Sequence, residues 1–318
     1  MCLSSAYKYT KQTVNFVAAG NSIRTLAYSY DGKAWNDVNN SASNIFTITG
    51  RGVAYGNNLW VALGEGTNRL AISTNGTNWT IRSSPFSTRG ISAAWNGSIW
   101  VAVGQGTNSI AYSYDGTTWT GVTNSSTNIF TTGNGVAWNG SLWVAVGQGT
   151  THTIATSDDG ITWTGQGKTI ISYAGYGVAW SSSLNRWVAV GEGTNSIAYS
   201  SDGTTWTGVT NSTTNFFTRG YGVAWSSSLN RWVAVGEGTT HTIATSSNGT
   251  SWTGQGKTVF STLGRSVAWS SSLNLWVAGG QGTNTIAYSS TALNSASWTA
   301  VSNSTSIFSN ICYGVGSK

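Results

Sequence analysis

The stretch WVAVGQGTTHTIATSDDGITW, from Trp143 to Trp163, decides the fold because relatives of it occur seven times along the chain. Each relative opens on an aromatic residue followed by a run like VAVG. These first aromatics are Phe16, Trp60, Trp100, Trp143, Trp187, Trp232 and Trp276. Their spacings are 44, 40, 43, 44, 45 and 44 residues. A regular period of this length indicates that one structural unit is repeated seven times.

Each repeat contains four short segments with the composition of β-strands. In the repeat around Trp143 they are Gly135 to Trp138, Leu142 to Gly147, His152 to Ser157 and Thr162 to Gln166. These runs are rich in Val, Ile, Thr and Trp and are bounded by Gly, Asn or Ser, which is typical of strands. No apolar period of about 3.6 residues persists, so the sequence predicts essentially no helix. The pattern predicts an all-β fold, a seven-bladed β-propeller of four-stranded antiparallel blades that occupies residues 1–318 as one domain.

The two ends of the chain are expected to close the ring. The tail ICYGVG, Ile311 to Gly316, repeats the first-strand pattern, so we expect it to supply the innermost strand of the opening blade. Ala6 to Tyr9 also aligns loosely with that strand and is the alternative. Closure would remove exposed strand edges and would bring Cys2 near Cys312. These cysteines either form a disulfide or remain two free thiols, and the sequence favours the free thiols.

The turn between the third and fourth strands carries the motif S-x-D-G-x-x-W. It occurs at Ser29 to Trp35, Ser113 to Trp119, Ser157 to Trp163 and Ser200 to Trp206, and with Asn in place of Asp at Asn75 and Asn248. The motif resembles the Asp-box, or BNR, repeat of sialidases and related propellers, with one residue fewer between Asp and Gly. The resemblance covers six of the seven repeats and implies the propeller fold. A sialidase also needs an arginine triad, a Tyr nucleophile with a Glu partner and an acid/base Asp. That set cannot be assigned here, so we expect no catalytic residues and no enzymatic activity.

Composition narrows the classes of function. The 15 Lys and Arg and 9 Asp and Glu residues give a formal charge of +6, but they are scattered, and no basic stripe indicates a nucleic-acid partner. The first residues lack a basic segment followed by an apolar core, and no window approaches roughly 18 apolar residues. We therefore expect no secretory signal and no membrane partner, which favours a cytoplasmic or particle-associated location over classical secretion. The sequence does not indicate an oligomeric state.

The 18 Trp residues invite a sugar-binding interpretation, but their placement argues for packing. Six begin second strands, seven lie in the turn between the third and fourth strands, and five end first strands. Every Trp therefore falls on a repeated structural position. We expect the set to serve the core and the contacts between blades.

The candidate ligand site is the loop G-[E/Q]-G-T between the second and third strands. In a propeller these loops lie on the face where the blades are connected, around the central channel. Their polar side chains would offer acceptors to ligand hydroxyl groups, and structural hydrogen bonds to loop amides are the alternative. The candidate binding residues are Glu65, Gln105, Gln148, Glu192, Glu237 and Gln281, together with His152, His241 and Arg219.

Alternate repeats differ at this loop. Repeats with GTNSIAYS, at Gly106 and Gly193, alternate with repeats that carry GTTHTIATS, at Gly149 and Gly238. Alternate blades should therefore present different loops. The two His residues of the second type have no Cys cluster or carboxylate spacing that indicates a metal site, so we expect no metal and no cofactor.

Four arginines fall just before predicted first strands, near the expected channel mouth. In that position they would either attract an anion or remain solvated. They are Arg51, Arg89, Arg219 and Arg265.

These observations favour a non-catalytic, lectin-like binding propeller with repeated shallow sites on the loop face for glycans or other hydroxyl-rich ligands. The rival hypothesis is a structural or protein-interaction scaffold with no small ligand, for example a component of a viral particle or of a cell-surface assembly. A glycan or a protein is therefore the expected partner.

Overall fold

A computed structural model describes residues 12–318, which form a ring of seven four-stranded antiparallel blades around a central channel. The predicted all-β, seven-bladed propeller is confirmed. We number the blades from the amino-terminal one and call the strands of each blade inner, second, third and outer. Within residues 12–318 the inner strands of blades 1 to 7 are Ile311–Ser317, Thr49–Gly56, Arg89–Trp95, Thr132–Trp138, Ala174–Ser181, Arg219–Ser226 and Leu263–Ser270.

The remaining strands follow in the same blade order. The second strands are Phe16–Asn21, Leu59–Glu65, Trp100–Gln105, Trp143–Gln148, Arg186–Glu192, Arg231–Glu237 and Leu275–Gln281. The third strands are Leu26–Ser29, Leu70–Ser73, Ile110–Ser113, Ile154–Ser157, Ile197–Ser200, Ile243–Ser246 and Ile286–Ser289. The short outer strands are Asn36–Asp37, Thr80–Ile81, Thr120–Gly121, Thr164–Gly165, Thr207–Gly208, Thr253–Gly254 and Thr299–Ala300.

The carboxyl-terminal strand closes the ring. Ile311–Ser317 pairs antiparallel with Phe16–Asn21 and is the inner strand of blade 1, so the predicted closure by the tail is confirmed. The alternative segment, Ala6 to Tyr9, lies outside the described residues. So does Cys2, and with it any disulfide to Cys312. Cys312 itself is buried in the core of blade 1, and burial raises the pKa of its thiol.

Short helical turns occupy several connections between blades, where the sequence predicted essentially no helix. Ser125 shows their role, because its hydroxyl accepts the amide of Ser109 at 3.1 Å and that of Ile110 at 3.2 Å, at the start of the third strand. A single turn is too short to show a helical period in the sequence, so the prediction of no helix was wrong to this extent. Within residues 12–318 the turns are Ser41–Ile45 (π), Ser125–Asn128, Ser212–Asn215 and Ser304–Ile307 (α), and Ser295–Ser297 (3-10). None of these helices is long and apolar enough to cross a membrane.

The Trp residues pack as the repeat pattern predicted. The Trp that begins the second strand of blades 2 to 7 is fully buried in each case. The Trp near the end of an inner strand is half-buried and packs against the buried Trp of the second strand. For example, the ring centroids of Trp180 and Trp187 are 5.0 Å apart. In the turns, the indole N–H of Trp119 donates to the carbonyl oxygen of Gly116 at 3.0 Å. The indoles are therefore committed to the framework.

Connections between blades are anchored by rings that fill the space left by a glycine. Phe130 is fully buried, and it packs where a side chain at Gly147 would otherwise lie. A Cβ added at Gly147 would be 2.7 Å from Phe130 Cγ and 2.4 Å from the carbonyl oxygen of Thr132. This contact explains why the run VAVG ends in glycine.

The S-x-D-G-x-x-W turns are closed by a fixed set of hydrogen bonds. In blade 3 the Ser113 hydroxyl accepts the amide of Gly116 at 2.8 Å, and Asp115 Oδ1 accepts the amides of Thr117 and Thr118 at 2.7 and 2.8 Å. Hydrogen bonds from the Thr117 hydroxyl and from these amides hold the pKa of the Asp115 carboxyl well below its usual range. Asn75 fills the same place in blade 2 and accepts the amides of Thr77 and Asn78. An amide oxygen therefore suffices for the turn.

Replacing Asp115 and Asp202 by Asn should make the protein less sensitive to acid and somewhat less stable at neutral pH, where the ionised carboxyls stabilise the folded state. The pKa of each carboxyl is lowered in the folded state. The unfolded value is about 3.9, so the stabilisation is complete above about pH 4 and is lost as the pH falls toward the folded value. Melting temperatures at pH 7 and pH 3 measure this effect. The reverse variant, Asn75→Asp, should add acid sensitivity, and an identical acid response in all variants would contradict the argument.

Candidate functional site

A β-bulge at the start of every inner strand turns one side chain into the channel. In blade 2, Gly50 pairs with Gly64 and Gly52 pairs with Leu63, so Arg51 between the two glycines has no partner in the ladder. A bulge of this kind re-aims the unpaired residue. The pairing skips the equivalent residue in all seven blades of the described chain. We call these residues the bulge ring; in blade order they are Tyr313, Arg51, Ile91, Asn134, Tyr176, Tyr221 and Arg265.

The bulge ring lines a central cavity of about 400 Å³. Neighbouring inner strands approach closely here: a Cβ at Gly177 would lie 2.9 Å from the carbonyl oxygen of Tyr221. The walls of the channel are therefore mostly backbone at this level, and the bulge residues supply its chemistry. The volume lies within the range usual for small-ligand sites, about 300 to 1,000 Å³.

A second ring of polar residues surrounds the mouth of the channel. It consists of the last residue of each second strand, and we call it the rim ring. Glu192 shows the position: it pairs with Ala174 of its own blade and with Arg219 of the next. The predicted Glu and Gln residues all belong to this ring. The sequence suggested that they lie in the loops after the second strands, but each of them is the last residue of its strand. The members in blade order are Asn21, Glu65, Gln105, Gln148, Glu192, Glu237 and Gln281.

Glu65 links the two rings in blades 2 and 3. Its carboxylate lies 2.8 Å from Arg51 Nη2, in the bulge ring of the same blade, and 4.0 Å from Arg89 Nη1, at the start of the next inner strand. One carboxylate therefore serves two arginines. Its charge is committed to holding the Arg51 side chain in place.

The same role falls to two glutamates in blades 5 and 6. The hydroxyl of Tyr176 donates to Glu192 and that of Tyr221 donates to Glu237, both at 3.1 Å. Arg219 lies between these carboxylates, 3.0 Å from Glu192 and 3.6 Å from Glu237. Burial is the main cause that raises the pKa of both tyrosines, and the neighbouring glutamates raise it further. Both phenols therefore stay protonated at neutral pH.

Other polar groups at the channel have no partner among residues 12–318. The Gln148 amide, the Tyr313 hydroxyl and the Arg265 guanidinium line the cavity and make no hydrogen bond to the described part of the chain. Asn134 donates from Nδ2 to the carbonyl oxygen of Gly175 at 2.9 Å, which leaves its Oδ1 available. These groups come from blades 1, 4 and 7 and converge on one cavity.

His152 and His241 do not join the site. Nδ1 of His152 accepts the amide of Gly167 at 3.0 Å, and Nδ1 of His241 accepts that of Gly256 at 2.8 Å. Neither side chain lines the central cavity. In blade 3 the equivalent place is taken by Asn108, which donates to the carbonyl oxygen of Pro85. The alternate loops that the sequence predicted therefore differ in structure, but these histidines fasten a connection and are not placed to bind a ligand in the channel.

The sequence suggested that the four arginines lie just before the first strands, but in the structure they lie within the inner strands. Arg89 and Arg219 begin their strands and reach the rim, whereas Arg51 and Arg265 occupy bulge positions one step deeper. A glycine precedes both Arg51 and Arg265 in the sequence, but the residue that the pairing skips emerges only from the register.

Two exposed apolar side chains flank the rim and were missed by the sequence analysis. Tyr173, 52% exposed, donates its amide to the carbonyl oxygen of Glu192 at 3.0 Å. Ile48, 55% exposed, donates in the same way to Glu65 at 3.2 Å. Asn21 was also missed, because the first repeat reads GNS at this place and does not match G-[E/Q]-G-T.

No aspartate or glutamate in the described part of the chain lines the central cavity. Within residues 12–318 the aspartates lie in the turns between third and outer strands, except Asp37, which pairs with Arg24 on the outer strand of blade 1. No group of three His, Cys, Asp or Glu side chains in this part of the chain could hold a metal ion. The chemistry of the channel is that of hydrogen bonding, ion pairing and aromatic contact.

Comparisons with known proteins identify the fold. No protein-family model matches the chain, and no curated protein sequence matches it. Similar solved structures include virginiamycin B lyase from Staphylococcus aureus, with a TM-score of 0.61 and 10% identity over 75% of this chain and 80% of that one. YCF48 from Cyanidioschyzon merolae gives 0.56 and 12% over 85% and 93%. YCF48 bound to a D1 peptide gives 0.51 and 15% over 77% of each chain.

These neighbours include a lyase and a peptide-bound protein, so the fold alone does not select between catalysis and binding. At 10% to 15% identity the likeness concerns architecture. The chain is therefore similar in fold to β-propeller proteins.

Proposed function

We propose that the protein is a non-catalytic binding propeller that takes a small hydroxyl-rich ligand at the mouth of its central channel. The observation that carries the proposal is the convergence of unpartnered polar groups, from Gln148, Asn134, Tyr313 and Arg265, on one cavity of about 400 Å³. Binding sites are typically concave, partly aromatic and furnished with a few polar groups of this kind. Tyr173, exposed beside the rim, adds an aromatic surface on which a sugar ring could lie.

The seven rim positions surround one mouth, so we propose one shared site in place of repeated shallow ones. Three rim carboxylates are already paired with arginine or tyrosine side chains. The blades that keep free polar groups are therefore the ones that would contact the ligand. This asymmetry arises from the bulge ring, which carries Tyr, Arg, Ile or Asn according to the blade.

The absence of turnover is part of the proposal. The two Tyr–Glu pairs resemble a nucleophile with its partner, but burial raises the pKa of both phenols and makes a phenolate costly. A positioned general acid is also needed for glycosidic cleavage. Hydrolysis of a fluorogenic sialoside by the protein would contradict this part of the proposal.

Kinship with Asp-box propellers is also proposed. The bonds from the Ser hydroxyl, the Asp or Asn oxygen and the Trp indole recur in blades 1 to 6, which supports a common turn. In blade 7 an insertion replaces the motif, yet the Ser289 hydroxyl still accepts the amide of Ala292 at 2.8 Å. A propeller scaffold with no small ligand is the competing function.

A glycan array followed by calorimetry on any hit tests the function. Gln148→Ala and Tyr313→Phe should each weaken binding by about 3- to 10-fold, the loss of one hydrogen bond, with an unchanged melting temperature. Gln105→Ala is the matched control, because Gln105 holds the same rim position and does not line the cavity. An array without hits would favour the scaffold. An equal loss of affinity in all three variants would contradict a binding site in the central cavity.

A further inference from the structure

Arg265 differs from its structural twin, Arg51, in what stands beside it. Both occupy the bulge position of an inner strand. In each blade the rim residue pairs with the inner-strand residue two positions before the arginine. In blade 2 that rim residue is Glu65, which pairs with Arg51 at 2.8 Å. In blade 7 it is Gln281, whose Nε2 donates to Asn310 Oδ1 at 2.9 Å. Arg265 therefore lacks the carboxylate that its twin has.

Among residues 12–318 the surroundings of Arg265 supply aromatic faces, and none of these residues accepts a hydrogen bond from its guanidinium. Its guanidinium carbon lies 4.1 Å from the ring centroid of Tyr221, 5.3 Å from that of Tyr313 and 6.0 Å from that of Tyr176. Contacts of this type stabilise a cation through the ring faces and do not satisfy its N–H donors. Among residues 12–318 no carboxylate forms an ion pair with Arg265. Burial lowers the pKa of this guanidinium, and the nearby charge of Arg51 lowers it further.

The charge around this side of the channel is unbalanced. Glu65 pairs with Arg51 and Arg89, and Arg265 on the same side has no carboxylate of its own. The opposite side is different, because Arg219 there faces both Glu192 and Glu237. An unpaired cation held in a cavity lined by aromatic rings attracts an anion more strongly than a solvated one, since water screens it less.

We propose that Arg265 binds the carboxylate of a small ligand. This carboxylate would pair with Arg265 in the way that the Glu65 carboxylate pairs with Arg51. The guanidinium donors accept a planar carboxylate in two parallel hydrogen bonds, while Tyr221 and Tyr313 flank it. This inference rests on the proposed function for the location of the site and deepens it, because it gives the ligand a negative charge. The preferred ligand is then a hydroxyl-rich acid and not its neutral counterpart.

Glucuronate and glucose form the test pair, since they differ by a carboxylate on the same ring. Calorimetric titrations at constant ionic strength should show glucuronate binding about tenfold or more tightly than glucose to the unchanged protein. Gln281→Glu, which is nearly isosteric, supplies the missing carboxylate from within the chain and should abolish this preference. Arg265→Gln should do the same. Gln105→Glu adds the same charge to the rim in blade 3, beside Ile91, and should keep the preference.

Acetate and inorganic phosphate separate this inference from the proposed function. If acetate raises the melting temperature of the unchanged protein but not of Gln281→Glu, the carboxylate site stands even when no sugar binds. If phosphate does so and acetate does not, the carboxylate assignment is wrong. Equal binding of glucose and glucuronate to the unchanged protein would overturn the inference while leaving a neutral hydroxyl-binding site in place. The inference would also be overturned if the Gln281→Glu variant still preferred glucuronate to glucose.

Discussion

A chain that lacks residues 309–318 should lose most of its stability, because blade 1 would then have no inner strand. Ile311, Cys312 and Val315 are buried in this strand. Burial of such side chains contributes about 1.5 to 3 kcal/mol each, so about 4.5 to 9 kcal/mol is lost from a total that for most domains is about 5 to 15 kcal/mol. We expect the melting temperature, followed by circular dichroism, to fall by about 10 °C or more. The exposed edge of Phe16–Asn21 should also promote aggregation.

Two controls make this result specific to closure. Removal of Lys318 alone leaves every ladder pair of Ile311–Ser317 in place and should change the melting temperature little. A synthetic peptide of residues 309–318 should restore stability to the shortened chain when added in excess, whereas a peptide of scrambled sequence should not. An unchanged melting temperature in the shortened chain would refute closure by the tail.

Trp187→Ala should cause a large loss of stability, because Trp187 is one of the fully buried Trp residues of the second strands. The Trp187 side chain is fully buried between blades 4 and 5, with Val146, Val178 and Trp206 in the same cluster. Truncation of a buried Trp to Ala typically costs about 3 to 5 kcal/mol, because it removes apolar burial and leaves a cavity. Chemical denaturation followed by intrinsic fluorescence measures this loss.

Trp180→Ala is the matched comparison for that variant. Trp180 packs against Trp187 with ring centroids 5.0 Å apart but is only half-buried, so its removal should cost clearly less. A sugar-platform role for the Trp residues would instead predict that Trp180→Ala folds normally and loses its ligand. Equal destabilisation by both variants would contradict the packing argument.

The architecture could be predicted from the sequence because each repeat states it again. A single strand of four residues is ambiguous, but seven runs like WVAVG and six copies of the Asp- or Asn-containing turn are not. The tail ICYGVG could be assigned for the same reason, since it matches the inner strands of other blades. Burial of the Trp residues also followed from their repetition, because a side chain required in every blade usually serves the blade itself.

The site was harder to predict because its residues differ from blade to blade. The Glu and Gln residues were found through their repeated place, yet the sequence did not show that Glu65 is paired and Gln281 leaves Arg265 without a carboxylate. That contrast depends on which bulge residue lies beside each rim residue. His152 and His241 were predicted because a rare residue type in a loop suggested function; in the structure their hydrogen bonds at 3.0 and 2.8 Å fasten a connection, and neither residue lines the central cavity.

The bulge in each inner strand separates two demands that a protein usually has to meet with the same residues. The paired positions of the ladder must be nearly identical in every blade, since they build the ring, but the skipped position contributes no ladder bond and carries Arg, Ile, Asn or Tyr with equal ease. The seven bulge-ring residues can therefore vary the chemistry of the channel while the ladder that builds the ring stays constant. New specificities could be sought by randomising those seven residues alone, with residues that contact each other, such as Arg265 and Tyr221, changed together.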